Sequence, residues 1–251
     1  EHNVRNRTLY RDKFSALRVI WKQEIAKSFN SVDTKSTSNK YSTNYYYPTA
    51  GTNGIVYAYK KGVREPGAIV RLDGKTEELF SPSGILYDQN CGINDDQIVW
   101  SEYHSHIRWT LGGRMGLSSY DINKKKYKRH RNANNRFSPF SIGKNWGVVE
   151  VDNRNQAYIV MLDSSLRKEI WRISAGKNEL FLHPSYANGK IATVVQTTNG
   201  LHLETIDTAD KVRRIVSDNY QYQLDNPVIV DSTLLYRASF NSNNSFYQQN
   251  I

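Results

Sequence analysis

Four aspartates set the period of this sequence. AIVRLD ends at Asp73, LSSYD at Asp121, AYIVMLD at Asp163 and LHLETID at Asp207, at successive intervals of 48, 42 and 44 residues. An apolar run precedes each of them: GIVYAY at 54–59, QIVWSE at 97–102, GVVEV at 147–151 and KIATVV at 190–195. A fifth, TLLYRA at 233–238, opens another unit. A proline stands ahead of the apolar run in four units, as Pro48, Pro139, Pro184 and Pro227. Intervals of this size are those of a four-stranded propeller blade. The chain is therefore expected to be all-β, a β-propeller of four-stranded blades that is partial, with about four and a half blades, preceded by an N-terminal α-helix. The blades are read as 45–84, 85–137, 138–180, 181–223 and an incomplete 224–251. Each Asp is expected to start the tight turn into a polar outer strand such as KTEELF, RKEIWRI or KVRRIV, because its carboxylate can accept from a backbone N–H two residues on. The fifth unit stops before an outer strand. A propeller closes with four to eight blades, so the 251 residues are expected to be a fragment.

Residues 1–44 read differently. Leu9, Phe14, Leu17, Ile20, Trp21, Ile25 and Phe29 recur at helical spacing with no Gly or Pro between them, which predicts an amphipathic helix over about 7–29. The Ser/Thr/Asn-rich stretch after it reads as a linker. With 12% aromatic residues the chain is too rich in rings to be disordered. No run approaches the 18 or so apolar residues of a membrane span. A single cysteine, Cys91, excludes an internal disulfide and any multi-cysteine metal site. The first residues lack the pattern of a signal peptide.

GIVYAY…AIVRLD…EELFSP, together with LLYRASFNSNNSFYQ in the last unit, resembles the TolB-like (WD40-like) β-propeller repeats of exported bacterial proteins. VWSEYHSHIRWTLGG with SSYDI is similar to a blade of large exported Bacteroidota proteins in which the propeller follows a zinc-dependent, HExxH-type peptidase-like domain. The resemblance covers residues 45–251. It implies a periplasmic or cell-surface location and interaction duties. This sequence contains no HExxH, so no metal ligand or general base of such a peptidase carries over to it.

The stretch VWSEYHSHIRWTLGG, residues 99–113, sets Glu102, His104 and His106 at alternate positions. On a strand these share one face. Zinc would need one or two further ligands, and His2, His130, His183 and His202 lie in other units with no common spacing, so no metal is assigned. The stretch is read as the inner strand and long loop of blade two. Loops at blade ends carry binding residues, which makes Trp109, Arg108, His104, His106 and Glu102 the candidate ligand-binding set. Trp109 packing between blades is the plainer alternative.

The formal net charge of +10 is local. Eight cations and no acid lie between Ile122 and Val149, and they account for all but two of the net charges. Lys124, Lys125, Lys126, Lys128, Arg129 and Arg131 form a candidate anion-binding run with one ring, Tyr127, among them. The same run occupies the outer-strand position, where solvated charge protects an edge from pairing with other chains. No G-x-S-x-G, P-loop or dinucleotide-binding pattern is present, Cys91 has no activating motif, and no catalytic residue is assigned. The expected function is a non-catalytic binding or scaffold module of an exported bacterial protein. Its partner is a protein, a glycan or a further part of the same polypeptide, and it needs no cofactor. A carbohydrate-processing propeller enzyme using Glu102, Asp95 or Asp96 is the first alternative. Binding of an anionic polymer or nucleic acid through 124–136 is the second, with nucleic acid the less favoured.

Overall fold

The structure is a computed structural model that describes residues 42–51, 54–63, 66–73, 75–81, 91–94, 96–106, 108, 112–217, 223–240 and 243–251. The helix expected over 7–29 lies outside these residues. So do most of the linker, Asp95 and Trp109.

All regular structure described is antiparallel strand, arranged in five small sheets that follow chain order. Sheet 1 comprises β1 (Thr43–Ala50), β2 (Val56–Gly62), β3 (Ala68–Asp73) and β4 (Lys75–Phe80). Sheet 2 comprises β5 (Gly92–Ile93), β6 (Gln97–His104), β7 (Arg114–Asp121) and β8 (Lys126–His130). Sheet 3 is β9 (Asn135–Ile142), β10 (Asn145–Val151), β11 (Ala157–Leu162) and β12 (Glu169–Ser174). Sheet 4 is β13 (Leu180–Ala187), β14 (Lys190–Thr197), β15 (Gly200–Asp207) and β16 (Arg213–Ile215). Sheet 5 has three described strands, β17 (Gln223–Val230), β18 (Thr233–Phe240) and β19 (Asn243–Asn250). β5 packs on β1, β9 on β5 to β7, β13 on β9 to β11, and β17 on β13 to β15. First strands thus gather together while fourth strands stand apart, which is a propeller arrangement of four-stranded blades.

The apolar runs are second strands and the Asp-terminated runs are third strands. Both are covered on two faces, so they are buried almost end to end: Ile191 to Val195 of β14 and Met115 to Tyr120 of β7 are all buried. That burial explains why they read as continuous apolar runs rather than strict alternation. Between sheets 1 and 2 the core is Tyr57, Ile69, Ile98, Trp100 and Tyr120. Phe80 closes it, stacked on Tyr127 at 4.7 Å between ring centroids. Between sheets 2 and 3, Val99 and Leu117 meet Trp146, Val148, Val160, Leu162 and Leu166. Phe140 and Ile159 meet Phe181, Ile191 and Ile206 between sheets 3 and 4. Leu234 and Tyr236 of sheet 5 pack on Val194 and Leu203 of sheet 4.

The expected aspartate turns form at three of the four positions, Asp121, Asp163 and Asp207, while the Asp73 carboxylate accepts from the Arg71 side chain. Asp207 Oδ1 accepts from the Ala209 N–H at 2.8 Å, and Asp121 Oδ1 from that of Lys124 at 2.8 Å. Asp163 Oδ1 accepts from Arg167 and Lys168 N–H at 3.0 and 3.1 Å. Its turn holds Leu166 at φ 62° with the side chain in the core between sheets 2 and 3. Asp163→Ala removes the carboxylate oxygen that accepts from both backbone N–H groups and is expected to lower unfolding free energy by about 1–2 kcal/mol. A urea midpoint equal to the parent's would contradict that role.

The recurring prolines fall in four of the five first strands, and each of those four is bulged. The pairing register shifts at Tyr46/Thr49 in β1 and at Gly147/Val149 opposite β9. It shifts again at Leu182/Ser185 in β13 and at Asp225/Val228 in β17. In every case the residue before the proline is left-handed: Tyr47, Ser138, His183 and Asn226, at φ 53°, 46°, 47° and 51°. Proline has no N–H to lend to a ladder, and a bulge is a position that tolerates that loss. The outward face of sheet 5 carries exposed Val228, Val230, Leu235 and Phe246.

Candidate functional site

The stretch 99–104 lies on β6, the second strand of its sheet rather than its inner one, with β5 inside it. Glu102 and His104 do share a face, but Glu102 is fully buried. Its oxygens accept from Trp100 Nε1 at 3.2 Å, Tyr127 OH at 3.0 Å and Arg129 at 3.0 Å. Burial pushes the Glu102 carboxyl up. Hydrogen bonds from Ser118, Tyr127 and Arg129, with the Arg129 charge, outweigh it and hold the group below the usual carboxylate range. Glu102 is thus a charged staple tying β6 to β8. His104 is half-buried, 3.4 Å from Ser118 Oγ, and desolvation lowers its pKa against the pull of Glu102. His106 lies beyond β6, exposed, its Nδ1 accepting from the Arg108 N–H at 3.1 Å. The alternation therefore distributes its three groups over interior, rim and loop. Cys91 is buried, and desolvation pushes its thiol up to about 12.

The basic run divides by strand alternation. Lys124 is tied to Asp121, and Lys125 occupies the turn. Along β8, Tyr127 and Arg129 face sheet 1, where Tyr127 stacks on Phe80 and Trp100 and Arg129 holds Glu102. Lys128 and His130 face sheet 3. There a cleft of about 500 Å³ is lined by Lys128, Arg129, His130, Arg131, Arg136 and Arg167, with no acid among its described lining residues. Arg136 is paired with Glu150 at 2.8 Å. Arg167 arrives from the Asp163 turn of the next sheet, a contribution no local reading of 124–136 reveals.

Sheet 4 holds a site that sequence reasoning missed. His202 and Glu204 alternate on β15 as Glu102 and His104 do on β6, and that pattern was the available signal. His202 Nε2 lies 2.8 Å from Glu204 Oε1. Arg213 donates to both oxygens of Glu204 at 2.7 and 2.9 Å and to Glu179 at 2.7 Å. Burial would raise Glu179; the hydrogen bonds from Arg213 and from the Gly176 N–H lower it instead. His202 is 5% exposed, and its Nδ1 has no partner among the described residues. The ring lines a cavity of about 430 Å³ with Lys177, Glu179, Thr197, Thr198 and Asn199. A second cavity of about 300 Å³, lined by His183, Gln196, Thr197 and Gln223 among others, lies on the other side of the same β14–β15 turn.

No protein-family model matches the chain, and no curated protein matches it. Solved structures do. TolB from Acinetobacter baumannii superposes with a TM-score of 0.56 at 13% identity over 82% of this chain and 55% of its own length. The putative TolB from Agrobacterium tumefaciens gives 0.59 at 10% identity, over 83% of this chain and 77% of that one. A puromycin-hydrolyzing peptidase from Mycobacterium tuberculosis gives 0.53 at 14% identity, over 83% of this chain and 36% of its own. The chain spans about half the length of the Acinetobacter TolB. At these identities the likeness is one of fold, a TolB-like β-propeller shared with peptidases. Among the described residues no helix is long and apolar enough to cross a membrane.

Proposed function

We propose that this chain is a non-catalytic binding module of an exported bacterial protein, working in the periplasm or at the cell surface. Its partner is a glycan or a protein segment held at the rim of sheet 4. The repeat resemblance supports the location, and the TolB-like fold is consistent with an interaction role. The observation that carries the reading is the pair of cavities on either side of the Thr197–Gly200 turn, which offer hydroxyl, amide and imidazole groups. Concave sites of this size with a few convergent polar groups are where ligands are oriented. His202 lines the first cavity, and its Nδ1 is shielded and without a hydrogen-bond partner among the described residues. Glu102, Glu150, Glu204 and Asp225 are each paired with arginine in their own sheets, which supports a binding rather than a glycoside-cleaving reading.

The test is calorimetry of the protein against a panel of neutral oligosaccharides and extended peptides, with reducing-end and amine assays run on the same mixtures. Binding without turnover is expected, weakened at least tenfold by Thr198→Trp at the exposed turn, with an unchanged urea midpoint. Release of product, or binding indifferent to Thr198→Trp, overturns the proposal.

A further inference from the structure

We propose that the cleft between β8 and the Asp163 turn binds a compact oxyanion group, a phosphate or sulfate, through Lys128, Arg131 and Arg167. This site is separate from the rim of sheet 4. Six basic residues line it and no described lining residue is acidic. Two of the six are already engaged, Arg129 by Glu102 and Arg136 by Glu150. Lys128, Arg131 and Arg167 have no carboxylate partner among the described residues. They come from two sheets: Lys128 from the sheet 3 side of β8, Arg131 from the residue just after that strand, and Arg167 from the turn whose Asp163 Oδ1 holds the Arg167 backbone. The floor is His130, 7% exposed, its Nε2 2.8 Å from Ser119 Oγ.

The geometry also selects the kind of anion. A single-stranded nucleic acid needs rings on which bases stack beside a basic groove. The one ring in this run, Tyr127, points to the opposite face of β8 and is already stacked against Phe80 and Trp100. The cations are split between two faces rather than laid along one. What remains is a pocket of ligand size with converging positive charge and no stacking platform, which suits one phosphate-like group.

His130 supplies the readout. The charged and titratable groups that face it are Lys128 on its own strand, Arg167 on the turn, Arg136 on β9 and His104 on β6, all of which disfavour its protonation. An anion in the cleft offsets those charges, so binding and protonation of His130 reinforce each other. The experiment is an NMR pH titration of the full chain, labelled at histidine, in chloride and then with increasing inorganic phosphate. Saturable phosphate binding is expected, with the His130 midpoint rising by about one unit, equivalent to roughly tenfold tighter binding to the protonated form. Arg131→Gln/Arg167→Gln should weaken binding at least tenfold, and Lys128→Gln alone should weaken it less. Lys144→Gln/Arg154→Gln, equal in charge but lining neither this cleft nor the sheet 4 cavities, should leave it unchanged. Glucose 6-phosphate competing better than phosphate identifies an ester as the source; equal competition identifies the free anion. A His130 midpoint unmoved by phosphate, or equal weakening by both double variants, overturns the proposal. So does an oligonucleotide that binds far more tightly than phosphate and is lost in both doubles.

Discussion

Trp146→Ala is expected to lower the unfolding free energy by about 3–5 kcal/mol, the range for truncating a large buried aromatic. Trp146 is fully buried at the start of β10, with Val148, Val160 and Leu162 of its own sheet and Val99 and Leu117 of sheet 2 around it. It also reaches the inner strand of sheet 2: a Cβ placed on Gly92 would lie 2.7 Å from its ring and 2.8 Å from the Pro139 carbonyl oxygen. One side chain thus bridges two sheets, so little can collapse into the space it leaves. Its Nε1 has no hydrogen-bond partner among the described residues. Trp146→Phe removes that orphan donor while keeping most of the volume, and its cost should stay below about 1.5 kcal/mol. Urea titrations of the two variants decide the matter. Equal losses would mean that the indole N–H, and not the packing, is what matters at this position.

The second large effect is a loss of stability on mild acidification. Burial, followed by the charges of Lys128, Arg167, Arg136 and His104, lowers the pKa of His130 from 6.5 to about 4. Between those values the unfolded chain takes up a proton that the folded chain refuses, so stability rises with pH across the window. The contribution is complete above about pH 6.5 and is lost as pH falls through about 4, and it amounts to something on the order of 3 kcal/mol. His104, also lowered by burial, adds in the same direction. Glu102, Asp121, Asp163 and Glu179, all held below their ordinary values, give up their share in a lower pH range. His130→Gln keeps a group able to bond Ser119 but removes the titration. Denaturation in chloride between pH 6.5 and 4.5 should then show only a shallow residual slope. A slope as steep as the parent's would assign the acid sensitivity to other groups.

Second and third strands were legible because they are buried on both faces and end at a turn that aspartate favours by its own chemistry. First strands were not: a bulge and a proline interrupt their alternation, so Pro139 and Pro184 registered as punctuation where the chain is in fact paired. β5, two residues long, leaves no periodic trace at all. At the site, the shared face of Glu102 and His104 followed from strand geometry. The fate of Glu102 did not, because Tyr127 and Arg129 lie 25 and 27 residues away and reach it only once β7 and β8 have paired. Arg167 joins the basic cleft across a sheet boundary, and His202 needed the same alternation to be sought in a different sheet.

The left-handed residue and proline repeated in four first strands bear on how anything entering between the sheets is recognised. A regular innermost strand would present a row of amide donors and carbonyl acceptors along its free edge, able to accept an extended peptide as an extra strand. Here that row is broken at Tyr47, Ser138, His183 and Asn226, and each proline removes a donor beside the break. Main-chain zippering along these edges is blocked four times over. Selectivity in the interior then rests on side chains, and a guest can be exchanged by substituting a few of them without disturbing the sheets that hold them.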